Sequence, residues 1–322
     1  MFKKFSTLAI LLTLFVSLVG CKQNNTASQE NNSDVLITLV LDKGGVNDES
    51  FNQLAWEGAK EASKEYGVKI KYLESNSDAD YKSNLEQAVD MNSDLIIAIG
   101  FNLSEAVKEV ATSYNESKFA IIDGSFDEIP ENVTVISFDE AESGYLAGLV
   151  SAKNSNSNEF GFIGGMNVPA VQNYQKGFEK GLLEVNPNAK LSVQYANSFT
   201  DAAKGRAIAT QMYNNNVDCI MTAGGGVNNG VYEVAIEMKK YAVAVDMAQS
   251  HLSPSVILTS AIKKVDTGVK DTVKSYLDNT LKGGTINLYN IKNDGVGYEK
   301  TDLLSSDTIE FMNSKIKELK SK

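Results

Sequence analysis

The side chains of this chain best suited to chemistry are carboxylates. Asp42, Asp123 and Asp246 each follow a short apolar run, at residues 35–41, 119–122 and 242–245. A carboxylate so placed can accept N–H or O–H donors from a ligand, cap the next helix, or build a turn. Paired carboxylates can also work as acid and base on a glycosidic bond, but only where they flank that bond. Lys263 and Lys264 are adjacent, so one can meet a ligand while its neighbour stays solvated. Gly224-Gly225-Gly226 has the composition of a phosphate cradle but lacks a Walker lysine and the spacing of a dinucleotide fingerprint. Phe51 follows a Gly-rich turn and Phe199 sits in a polar loop, both outside any regular apolar stripe. The single His251 removes His-based triads and metal sites from consideration. Neither a cofactor nor a metal is expected.

The two cysteines differ in kind. Cys219 lies in the apolar run 217–221 and reads as a small buried hydrophobe. Cys21 follows Leu18-Val19-Gly20 after a basic head, Lys3 and Lys4, and an apolar run from residue 7 to 19. That run is short for a permanent membrane span and matches a lipoprotein signal, with cleavage before Cys21 and acylation of its thiol. Residues 1–20 are then a leader, and 21–34 a polar tether rich in Asn, Ser and Gln. The expected location is the extracytoplasmic face of the cell membrane. Losing Lys3 and Lys4 reduces 30 basic residues to 28 against 41 acidic ones, a net charge of −13. So acidic a chain is a poor partner for nucleic acid or an anionic bilayer, so attachment rests on lipid at Cys21.

The elements that must position these residues alternate. Residues 35–41, 69–73, 95–99, 119–122 and 133–137 read as strands, and 51–66, 80–91 and 104–114 as amphipathic helices. The alternation resumes with strand 160–163 and helix 170–185, which carries Tyr174 and Phe178 on one face. It continues through 191–195, 201–213, 219–223, 227–237 and 242–245. This is the pattern of an α/β protein with parallel sheets covered on both faces. Roughly 290 folded residues favour two lobes over one core. The halves also resemble each other: the segment 93–100 is similar to 217–224, and 119–123 to 241–246. From Gly100 to Asp123 is 23 positions, and from Gly224 to Asp246 is 22. Two duplicated lobes would face each other across a cleft at the carboxyl ends of their strands, where ligands bind in such sheets.

One stretch is specific enough to resemble a known family. Asp42-Lys43-Gly44-Gly45-Val46-Asn47-Asp48-Glu49-Ser50-Phe51-Asn52-Gln53, followed by Ala55-Trp56-Glu57-Gly58, resembles the opening motif of the basic membrane protein lipoproteins. Shorter similarities follow in order: Ile122-Asp123-Gly124, Phe199-Thr200-Asp201 with Lys204-Gly205, Ala223 to Gly226, and Thr259 to Lys263. The segment Asp246-Met247-Ala248-Gln249 departs from the family's more acidic Asp-Ser-Asp-Gln type.

The resemblance implies a type I periplasmic-binding fold, two doubly wound parallel-sheet lobes joined by three crossover segments near Glu140, Thr259 and Asn290. The first lobe would hold residues 35–140 plus 260–290, the second 141–259 plus 291–322. It further implies a purine nucleoside as ligand and ABC transporter permease subunits as partners. On that reading Phe51 and Phe199 stack on the base, and Asp42 and Asp123 accept its edge N–H groups. Asp246, Lys263 and Gly225 meet the ribose, the small glycines letting backbone approach the sugar. Asn47 and Asp48 are weaker candidates, since capping the helix at Phe51 explains them equally, and Trp56 reads as core. The expected protein is a binding protein, not an enzyme. The competing class is a surface adhesin or signalling receptor, which an exposed apolar patch would favour over polar groups in a cleft.

Overall fold

The computed structural model describes residues 34–321; Cys21, the leader and nearly all of the tether lie outside that range. The chain runs β1 (Leu36–Val40), α1 (Phe51–Tyr66), β2 (Lys69–Leu73), α2 (Asp80–Asp90), β3 (Leu95–Ile99), α3 (Ser104–Ser113), β4 (Phe119–Ile122) and β5 (Val133–Phe138). It continues through α4 (Glu140–Asn154), β6 (Glu159–Gly164), α5 (Pro169–Val185), β7 (Lys190–Tyr195), α6 (Ala202–Asn214), β8 (Cys219–Ala223), α7 (Val227–Met238) and β9 (Tyr241–Asp246). Last come β10 (Ile257–Lys263), α8 (Val265–Leu277), β11 (Thr285–Tyr289), β12 (Val296–Tyr298) and α9 (Ser306–Ser321).

Two six-stranded sheets form, ordered β2-β1-β3-β4-β5-β11 and β7-β6-β8-β9-β10-β12. Every pairing is parallel except β10 with β12, which is antiparallel. The central strands β3 and β8, Leu-Ile-Ile-Ala-Ile and Cys-Ile-Met-Thr-Ala, are buried along their whole length, as a strand covered on both faces must be. Edge strand β2 has no buried residue and carries two lysines. The strand orders correspond, the last strand differing in direction, so each lobe presents the carboxyl ends of its first, third and fourth strands to the same place.

Periodicity assigns no element to residues 140–154, yet α4 fills them. Every residue from Ser143 to Ala152 is buried, which leaves no polar stripe to reveal a helix. α4 packs on α5 through glycines: a Cβ on Gly148 would lie 2.3 Å from the Phe178 carbonyl oxygen, and one on Gly181 would lie 2.2 Å from that of Tyr145.

Three segments link the sheets. The first runs from β5 into α4, where the Asp139 N–H donates to the Tyr289 carbonyl at 2.8 Å. The second departs from the sequence reading, which puts a crossing near Thr259 and gives residues 260–290 to the first lobe. β10 instead runs on to Lys263 inside the second sheet, paired with β9 and β12, and the chain leaves only at Lys264. Its apolar alternation is too short to mark which sheet receives it; the two flanking strands decide. α8 then packs against α1, and β11 joins β5 at the edge of the first sheet. The third link lies between Tyr289 and Val296, bringing β12 and α9 to the second lobe.

Candidate functional site

The carboxyl ends of the two sheets enclose a cleft of about 710 Å³, its solvent mouth included. All seven residues singled out as ligand contacts line it: Asp42, Phe51, Asp123, Phe199, Gly225, Asp246 and Lys263.

At the first lobe, Asp42 follows β1 and Asp123 follows β4. Asp42 Oδ1 accepts the Gly44 N–H at 2.9 Å and the Asn52 amide at 2.7 Å, which ties the loop after β1 to α1. Burial raises its carboxyl above the ordinary value, opposed by those two hydrogen bonds. Asp48 plays the capping role: its two oxygens accept the backbone N–H groups of Ser50, Asn52 and Gln53 at 2.9–3.0 Å, so the loop delivers Phe51 as the first residue of α1. Asp123 adopts φ 58° and binds the Lys263 ammonium through Oδ2. Its Oδ1 and the Asn52 Oδ1 are buried acceptors without a partner among the described residues.

The second lobe supplies Lys263 at the end of β10. Its side chain is 2% exposed, and its ammonium also donates to Glu140 Oε1 at 3.1 Å. Burial pulls this amine down, but the charges of Asp123, Glu140 and Asp246 outweigh it and hold it above its ordinary value. The aromatic faces of Phe51, Phe138 and Tyr174 surround it at 4.9, 5.4 and 6.0 Å from their centroids. Glu140 starts α4; burial pushes its carboxyl up to about 7, with Lys263 pulling down and Asp123 pushing up. Asp246, at φ 68°, accepts the Ser50 hydroxyl at 2.6 Å and the Tyr174 hydroxyl at 3.3 Å. Burial raises it as well, while Lys263 and the Ser50 hydrogen bond pull it down.

The glycine turn is held by its own neighbours. The Gly224 N–H donates to Asn228 Oδ1 at 2.8 Å and the Gly226 N–H to the Phe199 carbonyl at 2.8 Å, so this turn is no phosphate cradle. Gly225 has φ +56°, and a Cβ there would lie 2.9 Å from the Phe199 carbonyl oxygen. Glycine is therefore required here to seat the Phe199 loop. Gly165 works with it: a Cβ there would lie 2.4 Å from the Phe199 ring.

Trp56 is half-buried and packs edge-on against Tyr72 at 5.0 Å, away from the cleft. Cys219 is buried, and burial pushes its thiol up to about 12. Sequence reasoning misses Ser50, Asn52, Glu140 and Tyr174. Tyr174 is legible only as one face of α5, and Glu140 only as the place of a crossing.

The family model described as Bmp, ABC transporter substrate-binding protein PnrA-like, matches residues 36–322. The chain belongs to this family. Among Bmp relatives, the ABC transporter nucleoside-binding protein BmpA of Lactococcus lactis is 37% identical, over 89% of this chain and 88% of its own. Basic membrane protein A of Borreliella burgdorferi is 33% identical, over 94% and 89%. A solved ABC transporter solute-binding protein from Aeropyrum pernix superimposes with TM-score 0.80 at 24% identity, covering 89% of this chain and 91% of that one. A LacI-family regulator from Enterococcus faecium superimposes with TM-score 0.64 at 16% identity, over 82% and 97%. Both likenesses speak to the fold alone: two parallel-sheet α/β lobes of the type I periplasmic-binding kind. This Bmp protein is thus an ABC transporter substrate-binding protein. Among the described residues no helix is long and apolar enough to cross a membrane.

Proposed function

We propose that this substrate-binding protein is held at the membrane by lipid on Cys21 and carries a purine nucleoside to its permease. The observation that carries the ligand class is Asp123 Oδ1, a buried carboxylate oxygen in the cleft with no donor among the described residues. An orphaned acceptor at such depth is costly unless a donor fills it, and a ligand in the cleft can bring one. The N1–H of a 6-oxopurine is such a donor. Phe51 from one lobe and Phe199 from the other offer apolar faces to the two sides of a base, at about 1–3 kcal/mol per stacked base. Asp246 and the ammonium of Lys263 suit ribose hydroxyls. The nucleoside-binding name of the Lactococcus lactis relative agrees with this reading.

The test has two parts. Protein purified from membranes is denatured and the released small molecules are identified by mass spectrometry; ligand-free protein is then titrated with inosine, adenosine and ribose. Inosine binding well ahead of ribose is the expected result, and tight ribose binding with neither nucleoside bound would end the reading. For the anchor, intact-mass analysis of the membrane fraction should find acylated Cys21 at the new N-terminus.

A further inference from the structure

Lobes that trap a ligand between them must open to admit it, and a direct contact between the lobes favours the closed form. One such contact stands outside the residues lining the cleft. Gln249, in the loop after β9 of the second lobe, donates its side-chain amide to the Glu49 carbonyl of the first lobe at 2.9 Å. The residues are 200 positions apart, and the Gln249 side chain is 2% exposed.

The amide is held in one orientation. Its oxygen accepts the Tyr232 hydroxyl at 2.8 Å, which directs the NH2 group toward Glu49. Its backbone N–H is fixed by Ser260 Oγ and Glu299 Oε2, each at 3.1 Å. On the far side, Glu49 has φ 53°, a left-handed conformation that a residue with a side chain adopts only when its surroundings impose it. Glu49 precedes Ser50, whose hydroxyl reaches Asp246, and Ser50 precedes Phe51.

We propose that Gln249 is a closure latch: a positioning residue that grips the Glu49 turn across the cleft, holds the lobes together around a ligand, and keeps Phe51 in its bound position. It rests on the substrate-binding reading of the cleft but not on which ligand fills it. Gln249 acts through Glu49 and not through the ligand, so it sets how long the ligand stays and not which one is chosen.

The experiment compares wild type, Q249E and Y232F. Q249E keeps an acceptor for Tyr232 and replaces the donor to Glu49 with an oxygen; Y232F leaves Gln249 in place but unorients it. With inosine as probe, stopped-flow should show Q249E releasing it about tenfold faster, with an association rate within twofold of wild type. Y232F should show a smaller acceleration in the same direction, and the inosine-to-adenosine preference should stay unchanged in both. Small-angle X-ray scattering of ligand-free protein should give a larger radius of gyration for Q249E than for wild type. Unchanged release together with unchanged scattering would overturn the latch, as would an altered preference, which would make Gln249 a ligand contact. Should wild type bind neither nucleoside, the nucleoside reading falls, and the scattering comparison alone decides the latch. A Q249E chain that fails to fold leaves Y232F to carry both measurements.

Discussion

Asp123 and Asp246 occupy matching places in the two lobes. Each ends the fourth strand of its sheet, each takes a left-handed backbone conformation, at φ 58° and 68°, and each lines the cleft. They are not chemically equivalent. Asp246 is engaged by the Ser50 and Tyr174 hydroxyls, whereas Asp123 is paired to Lys263 through one oxygen and has no partner among the described residues for the other. Both carboxylates link the lobes, Asp123 through Lys263 and Asp246 through Ser50.

Asp123→Asn should lower inosine affinity about tenfold, since a hydrogen bond to a charged group is worth roughly 1.5–3 kcal/mol. The gap to adenosine should narrow, because an amide can present either a donor or an acceptor to N1. Calorimetric titration of both ligands checks this, and a folded variant with wild-type affinity and preference would remove Asp123 from the site.

Lys263→Met should destabilise the protein by about 3–5 kcal/mol, because it strands the Asp123 and Glu140 carboxylates together in a buried place. Lys264 is exposed at the start of α8, and Lys264→Ala should stay within about 0.5 kcal/mol. Urea unfolding of the two variants measures the difference; equal effects would mean that burial of the Lys263 ammonium carries no energetic weight.

Stability should fall as pH rises from about 4.5 to about 7. Glu140 has an ordinary value of 4.5 and is pushed by burial to about 7, so the folded state keeps a proton that the unfolded chain releases in this window. Its contribution is complete below 4.5 and is lost through about 7. Asp42 and Asp246, also raised by burial, act in the same direction. Glu140→Gln should therefore lessen the drop in urea midpoint between acidic and neutral pH without abolishing it. The same drop in wild type and variant would remove Glu140 as its source.

Gly225→Ala should cost about 1–2 kcal/mol in stability for a left-handed residue with a side chain, and should weaken ligand binding as the Phe199 carbonyl is displaced. Gly297→Ala is the control, since a Cβ there meets nothing within 4 Å. Thermal melts and titrations of the pair check both effects.

Much of this molecule is legible in its sequence alone. Strand–helix alternation, near-continuous apolar runs in the central strands and the recurrence of a strand-ending Asp are local patterns, and local patterns report which faces of an element are buried. They suffice for a two-lobed parallel α/β protein and for Asp42, Asp123 and Asp246 as residues of interest. The expected lipoprotein signal ending at Cys21 rests on sequence alone, since it lies outside the described residues.

Other features exist only once two sheets face each other. α4 is buried all round and so carries no stripe for periodicity to detect. The end of β10 at Lys263 is set by its neighbours β9 and β12 and not by its own residues. Glu140 meets Lys263 across 123 positions, Ser50 meets Asp246 across 196, and Gln249 meets Glu49 across 200. Each of these polar residues alone looks like a solvated or capping side chain. Burial between the lobes removes the water that would otherwise satisfy them and makes each depend on a partner that no local spacing can name.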